Sequence, residues 1–202
     1  MSEAGKEIKM LKSQPDELSR LHILPNAITY ANMSLGAIAI FISTNSNPGN
    51  IKIASILILI AGITDKLDGY VARKMKATSG FGKELDSLCD LVSFGIAPIL
   101  LWWHINKGLL GISEAVASLF FIGSGIYRLA RYNIRKEDRY IVGLPITIAG
   151  MVVAGKQLLD VSYRLKFVTQ STINIENIII ITLLSILMTN SFKIRKPCIK
   201  YF

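Results

Sequence analysis

Residues 65–90 read DKLDGYVARKMKATSGFGKELDSLCD, and the fold follows from how this stretch is placed. It holds Asp65, Asp68, Glu84, Asp86 and Asp90, five of the 14 acidic residues in the chain, so the acidic groups are gathered rather than scattered. Asp65 and Asp68 lie three apart, and Asp86 and Asp90 lie four apart. On a helix either spacing puts two carboxylates on one face about a turn apart. A long apolar run, Ile51 to Thr64, leads into the first pair, and another, Leu91 to Ile105, leaves the second. The first run is short of a bilayer: at 1.5 Å per residue it covers about 21 Å of a hydrocarbon core about 30 Å thick. Asp65 and Asp68 are therefore expected inside a membrane, within roughly 10 Å of its edge. The same reasoning places Asp90 at similar depth. The short Thr78-Ser79-Gly80-Phe81-Gly82 connection makes the two segments antiparallel neighbours and brings the pairs together.

The rest of the chain fits a membrane protein. Its 202 residues are 51% hydrophobic, with a mean hydropathy of +0.44, high for a soluble domain. The expected fold is all-α, with six transmembrane helices over about 24–43, 51–75, 83–105, 109–134, 141–161 and 175–192. In the fifth, Pro145 and several glycines are expected to bend the helix. Residues 1–22 form a charged N-terminal segment, either an amphipathic helix broken at Pro15 or a disordered basic tail. Residues 23–192 form the six-helix domain, whose first helix opens at Leu24-Pro25-Asn26. Residues 193–202 form a basic tail. No cleavable leader is expected from the polar start. Cys89 and Cys198 supply neither a disulfide framework nor a zinc spacing.

Charge supports the same layout. The net charge of +9 could suggest nucleic acid, but the basic residues segregate by loop. Six spans put 17 Lys and Arg on the side of both termini and 5 on the other, with Lys66 inside the second span. The positive-inside rule then places both termini in the cytoplasm, and no nucleic-acid partner is expected.

Four carboxylates in a membrane require compensation, because each costs at least about 2.5–3.5 kcal/mol and like charges repel. Protonation would relieve part of this, and two divalent cations would relieve it more fully. An oxygen-only donor set favours Mg²⁺ or Mn²⁺, with Ca²⁺ as another occupant, and His22 and His104 are remote. Two such ions held close together are a device for in-line phosphoryl displacement. Arg73 follows on the same helix and suits a phosphate-bearing ligand. Gly69, Ala72 and Gly82 let a ligand approach the backbone. Singly, each has a plainer reading: Arg73 as a topology anchor, and Gly69 and Gly82 as helix-packing residues.

Taken together, Asp65-x2-Asp68-Gly69-x2-Ala72-Arg73-x8-Gly82-x3-Asp86-x3-Asp90 resembles the CDP-alcohol phosphotransferase signature at every fixed position, and the six-helix bundle of that family resembles the span count. The words GKELDSLCDLVSFGIAP (82–98), YRLARYN (127–133) and GLPIT (143–147) are similar to members that use serine as acceptor. Cys89 departs from the small residue expected there and touches no proposed ligand. The resemblance implies that Asp65, Asp68, Asp86 and Asp90 hold two metal ions and that Asp90 is the general base. It implies that Gly69, Ala72, Arg73 and Gly82 shape the CMP and diphosphate pocket together with Asp68, with Asn26 and Thr29 also in reach. The expected substrates are a CDP-lipid, ester- or ether-linked, and L-serine, and a homodimer in the cell membrane is expected.

Serine would need its carboxylate held. Arg128 and Arg131, at the cytoplasmic end of the fourth span, are candidates, with Asn133 assisting. Their plainer role is lipid-phosphate anchoring or topology. Two other functions stay open: the same transfer to glycerol 3-phosphate or inositol phosphate, and a divalent-cation transporter. An arginine beside a cation path would be repulsive, which disfavours the second.

Overall fold

A computed structural model describes residues 15–74, 80–106, 111–134, 140–163 and 167–195, with side chains over 27–67, 80–106, 111–134, 143–163 and 167–192. Among these residues the chain forms six helices. They are α1 (Pro15–Ser43), α2 (Pro48–Lys74), α3 (Gly80–Ile105), α4 (Ile112–Ile134), α5 (Ile146–Ser162) and α6 (Gln170–Thr189). Successive helices alternate in direction around one apolar core that includes Phe94, Trp102, Phe121, Ile146, Ile181 and Met188. Large apolar side chains also point outward on several helices, among them Phe41, Ile63, Leu119, Ile179 and Leu183. An apolar exterior over an apolar core is what a lipid solvent selects.

Three helices, α3, α4 and α6, are long and apolar enough to cross a membrane by length and composition. Among the described residues, Ala27–Ser43 of α1 adds a shorter apolar helical stretch.

Three expected boundaries are corrected. Helix α1 is already helical at the first described residue, Pro15, and runs through Pro25, so the expected opening at Leu24 lies inside the helix. Pro25 removes only one bond from this long ladder. Of residues 1–22, expected as an amphipathic helix broken at Pro15 or a disordered tail, 15–22 are helical, while 1–14 and the side chains of 15–22 lie outside the described residues. The fifth helix starts at Ile146, not Ile141. Pro145 is its N-cap, in an extended conformation, and Gly143 before it has φ +73°. Finally, the expected basic tail begins as a strand. Residues β1 (Tyr140–Val142) and β2 (Lys193–Arg195) pair antiparallel, with Ile141 opposite Ile194. A three-residue strand satisfies backbone groups that a tail would leave to water.

Helix α3 is not uniform. Its α-helical ladder stops at Asp90, a π-helical segment spans Leu91–Ile96, and α-helix resumes at Ala97. Short π segments interrupt helices most often beside functional groups. Here the wider turn follows a buried carboxylate directly. Helix α5 packs against it so tightly that a Cβ at Gly150 would lie 2.5 Å from the Phe94 carbonyl oxygen and 2.7 Å from Phe94 Cα. Backbone on both sides cannot yield to a methyl group. Gly150→Ala is expected to cost about 1–3 kcal/mol by overpacking and to lower the melting temperature of the detergent-solubilised protein. An unchanged melting temperature would show that α5 has room to move.

Polar ties close the opposite end. The Ser43 hydroxyl and His104 Nδ1 are 2.7 Å apart, and the Gln170 amide donates to the Asn106 and Asn174 side-chain oxygens. Lys156 pairs with Asp160 and Glu176, joining α5 to α6. The carboxylate cluster therefore sits at the end away from these ties.

Candidate active site

Antiparallel packing of α2 and α3 brings Asp65, near the end of one, to Asp86 and Asp90, near the start of the other. One carboxylate oxygen from each lies within 4.8 Å of the others. Asp86 and Asp90 are a turn apart, so they face the same way. Asp90 is the deepest, 8% exposed, and its Oδ1 is buried with no hydrogen-bond partner. Buried polar atoms are rarely left so, and an orphaned carboxylate oxygen beside two further carboxylates fits a cation-binding role. The donor set is oxygen only, which suits Mg²⁺, Mn²⁺ or Ca²⁺. The three residues thus fit a divalent-metal site.

Two further groups reach this cluster from other helices. Thr147, in the first turn of α5, donates its hydroxyl to Asp65 Oδ2 at 3.1 Å. Arg128, on α4, is half-buried and close enough to Asp90 and Asp65 to feel both charges. Its Nε is buried without a partner. Among the described residues it closes no ion pair with them, so its hydrogen-bonding capacity is uncommitted there.

The neighbouring arginine is placed differently. Arg131 donates to the carbonyl oxygens of Thr189 (3.1 Å), Asn190 (3.2 Å) and Met188 (3.4 Å), and its guanidinium lies over the Tyr127 ring. It caps the end of α6, where the last carbonyls have no helical partner. Asn133 donates to Glu84 and to the Ser87 hydroxyl, tying the end of α4 to α3. Lys83 completes that joint by donating to the Tyr132 and Asn133 carbonyls. Of the three residues expected to hold serine, the fold brings Arg128 to the carboxylates and engages Arg131 and Asn133 in helix ends.

The remaining expected residues divide by what is described. Asp68, Gly69, Ala72 and Arg73 lie on α2, on the helical continuation from Asp65, and Asn26 lies on α1. Their side chains fall outside the described residues. Gly82 is in the first turn of α3, one turn before Asp86, and Thr29 is buried on α1. Cys89 is buried, and Cys198 lies outside the described residues. Thr147 was absent from the expected site. Its word, GLPIT, carried a resemblance but no assigned chemistry. The available signal was a hydroxyl two residues after a Gly-x-Pro turn, at the head of an apolar helix.

Comparison with known proteins agrees with this geometry. The sequence model of the CDP-alcohol phosphatidyltransferases matches residues 22–191. A CDP-diacylglycerol–serine O-phosphatidyltransferase of Helicobacter pylori is 38% identical over 151 residues, covering 73% of this chain and 62% of the relative. One of the same name from Methanocaldococcus jannaschii is 32% identical over 185 residues, covering 92% of this chain and 80% of that protein. An archaetidylserine synthase of Methanothermobacter thermautotrophicus is 37% identical over 134 residues, 65% of this chain and 56% of the relative. The chain thus spans under two thirds of the length of two of these three. The family match takes in all six helices in part or whole, and it includes the aspartates that the fold gathers: this chain belongs to the CDP-alcohol phosphatidyltransferase family.

Proposed function

We propose that this protein transfers a phosphatidyl group from a CDP-lipid to the hydroxyl of L-serine, giving phosphatidylserine and CMP. The observation that carries the reading is the meeting of Asp65, Asp86 and Asp90 with an uncommitted arginine, Arg128, at one end of an apolar helix bundle. The names of the relatives favour serine as the acceptor.

Asp65, Asp86 and Asp90, with Asp68 from the same turn of α2 as Asp65, would hold two divalent ions, Mg²⁺ or Mn²⁺. When bound, these would neutralise the diphosphate and stabilise the departing CMP. Gly69, Ala72, Arg73 and Gly82 shape the nucleotide and diphosphate pocket, with Asn26 and Thr29 bordering it. Arg128 takes the serine carboxylate through two parallel hydrogen bonds and orients the hydroxyl. Asp90 removes the hydroxyl proton as general base. The serine oxygen attacks the phosphorus bonded to the lipid, and the bond to the CMP oxygen breaks. Arg131 and Asn133 act through the ends of α4 and α6 and hold Arg128 at its depth. No covalent enzyme intermediate is required.

The same reading has six membrane spans, with both termini and the site on the cytoplasmic side. Lipid tails then stay in hydrocarbon while the headgroup meets the carboxylates. Residues 23–192 form the catalytic bundle, and a homodimer is the expected assembly.

The test is CMP release by purified protein given CDP-diacylglycerol and Mn²⁺ or Mg²⁺, with and without L-serine. Serine-dependent release is the expected result. Release with glycerol 3-phosphate or inositol phosphate in place of serine would overturn the acceptor and keep the chemistry. No release with any alcohol, together with metal flux in proteoliposomes, would favour a transporter.

A further inference from the structure

We propose that Thr147 is a positioning residue for the carboxylate cluster, and that a strap joining the end of α6 to the start of α5 holds it in place. The inference rests on the metal-site reading above. Its first support is the bond itself: the Thr147 hydroxyl donates to Asp65 Oδ2 at 3.1 Å, and Thr147 is buried. A threonine inside a helix tends to spend its hydroxyl on a carbonyl three or four residues back. Thr64 and Thr189 do so here, to Ala61 and Ser185. Four residues before Thr147 stands Gly143, which is not helical. Placed in the first turn, Thr147 has no such carbonyl, and its proton is free for Asp65. A hydrogen bond to one carboxylate oxygen fixes the rotation of the whole group, the usual task of residues that support metal ligands.

The second support is how firmly the turn before Thr147 is anchored. The Gly143 N–H donates to the Phe192 carbonyl at 3.0 Å, and the Leu144 N–H to the Leu187 carbonyl at 3.1 Å. Gly143 has φ +73°, and a Cβ there would lie 2.6 Å from the Met188 carbonyl oxygen and 3.1 Å from an Arg131 guanidinium nitrogen. Only glycine fits such a crossing. Arg131 ties the intervening carbonyls of Met188, Thr189 and Asn190 to α4, and β1–β2 pairing closes the strap on its other side. Next to Thr147, the Ile146 side chain is fully buried against Gly95 of α3 and Gly125 of α4. The turn that carries Thr147 is thus held by contacts to α3, α4 and α6, and Thr147 touches Asp65, which α2 supplies to the cluster.

The test is Mn²⁺ binding by the purified full chain, followed by electron paramagnetic resonance of free Mn²⁺. Thr147→Val keeps the shape and removes the hydroxyl. It is expected to weaken Mn²⁺ binding by about 10- to 100-fold, whereas Thr147→Ser stays within about threefold of the parent. Parent-like binding by Thr147→Val, or equal weakening by Thr147→Ser, would overturn the role. Thr147→Ala is read the same way if the valine variant is not monodisperse. Asp65→Asn separates the two readings: parent-like Mn²⁺ binding by that variant would remove the metal site itself, whereas its loss alongside parent-like binding by Thr147→Val would remove only the role of Thr147.

Discussion

Asp90→Asn lowers turnover by about 10³-fold at saturating serine, CDP-lipid and Mn²⁺, within the range for removal of a general base. The substitution changes little else. Asparagine has nearly the volume of aspartate, and Asp90 sits at the junction of the α-helical and π-helical parts of α3, where a larger change would disturb packing. Its Oδ1 is the buried, unpartnered oxygen of the cluster, the atom best placed to accept a proton from an incoming hydroxyl. Asp90 is also a proposed metal ligand, so two causes of lost activity must be separated. The measurement is CMP release over rising Mn²⁺. Turnover that stays low at saturating metal supports the base assignment. Turnover that recovers to the parent level assigns Asp90 to metal binding alone and moves the base elsewhere.

Arg128→Lys raises the KM for L-serine by about 10- to 100-fold with turnover little changed. Hydrogen bonds to charged groups contribute roughly 1.5–3 kcal/mol, and about 1.4 kcal/mol is a factor of ten. Lysine keeps the positive charge but loses the planar pair of donors that matches a carboxylate. The control is Arg131→Lys, three residues on. Arg131 spends its guanidinium on the three carbonyls at the end of α6, so its replacement should lower the melting temperature and leave the serine KM near the parent value. Steady-state kinetics against serine, beside a thermal melt, checks both. A raised KM in Arg131→Lys and not in Arg128→Lys would reverse the two roles.

The contrast between these two arginines shows where reading along the chain stops. Arg128 and Arg131 are one helical turn apart and identical in chemistry, and sequence reasoning could only treat them together. Which one faces the carboxylates depends on where α6 ends, because Arg131 is drawn away by carbonyls almost 60 positions later. Thr147 was missed for the same reason: its partner, Asp65, is 82 positions earlier. The boundaries that needed correction at Pro145 and Lys193 are also settled by distant backbone bonding, as in the pairing of Tyr140–Val142 with Lys193–Arg195.

What the sequence by itself determined is the part governed by local periodicity and by transfer from water. Apolar runs of near-membrane length, aspartates three and four apart at their ends, and the segregation of basic residues define a membrane bundle with acidic groups on helix faces. These signals need only the 3.6-residue repeat and the cost of charge in hydrocarbon. What only the tertiary structure decided is which groups meet. Antiparallel packing puts Asp65 within reach of Asp86 and Asp90, leaves Asp90 Oδ1 without a partner, and turns Arg128 inward and Arg131 toward α6. It also brings Thr147 to Asp65 across α5 and α2. Such contacts depend on the relative rotation and depth of whole helices, which close packing at Gly150 and the strap at Gly143 set, and which no local pattern encodes.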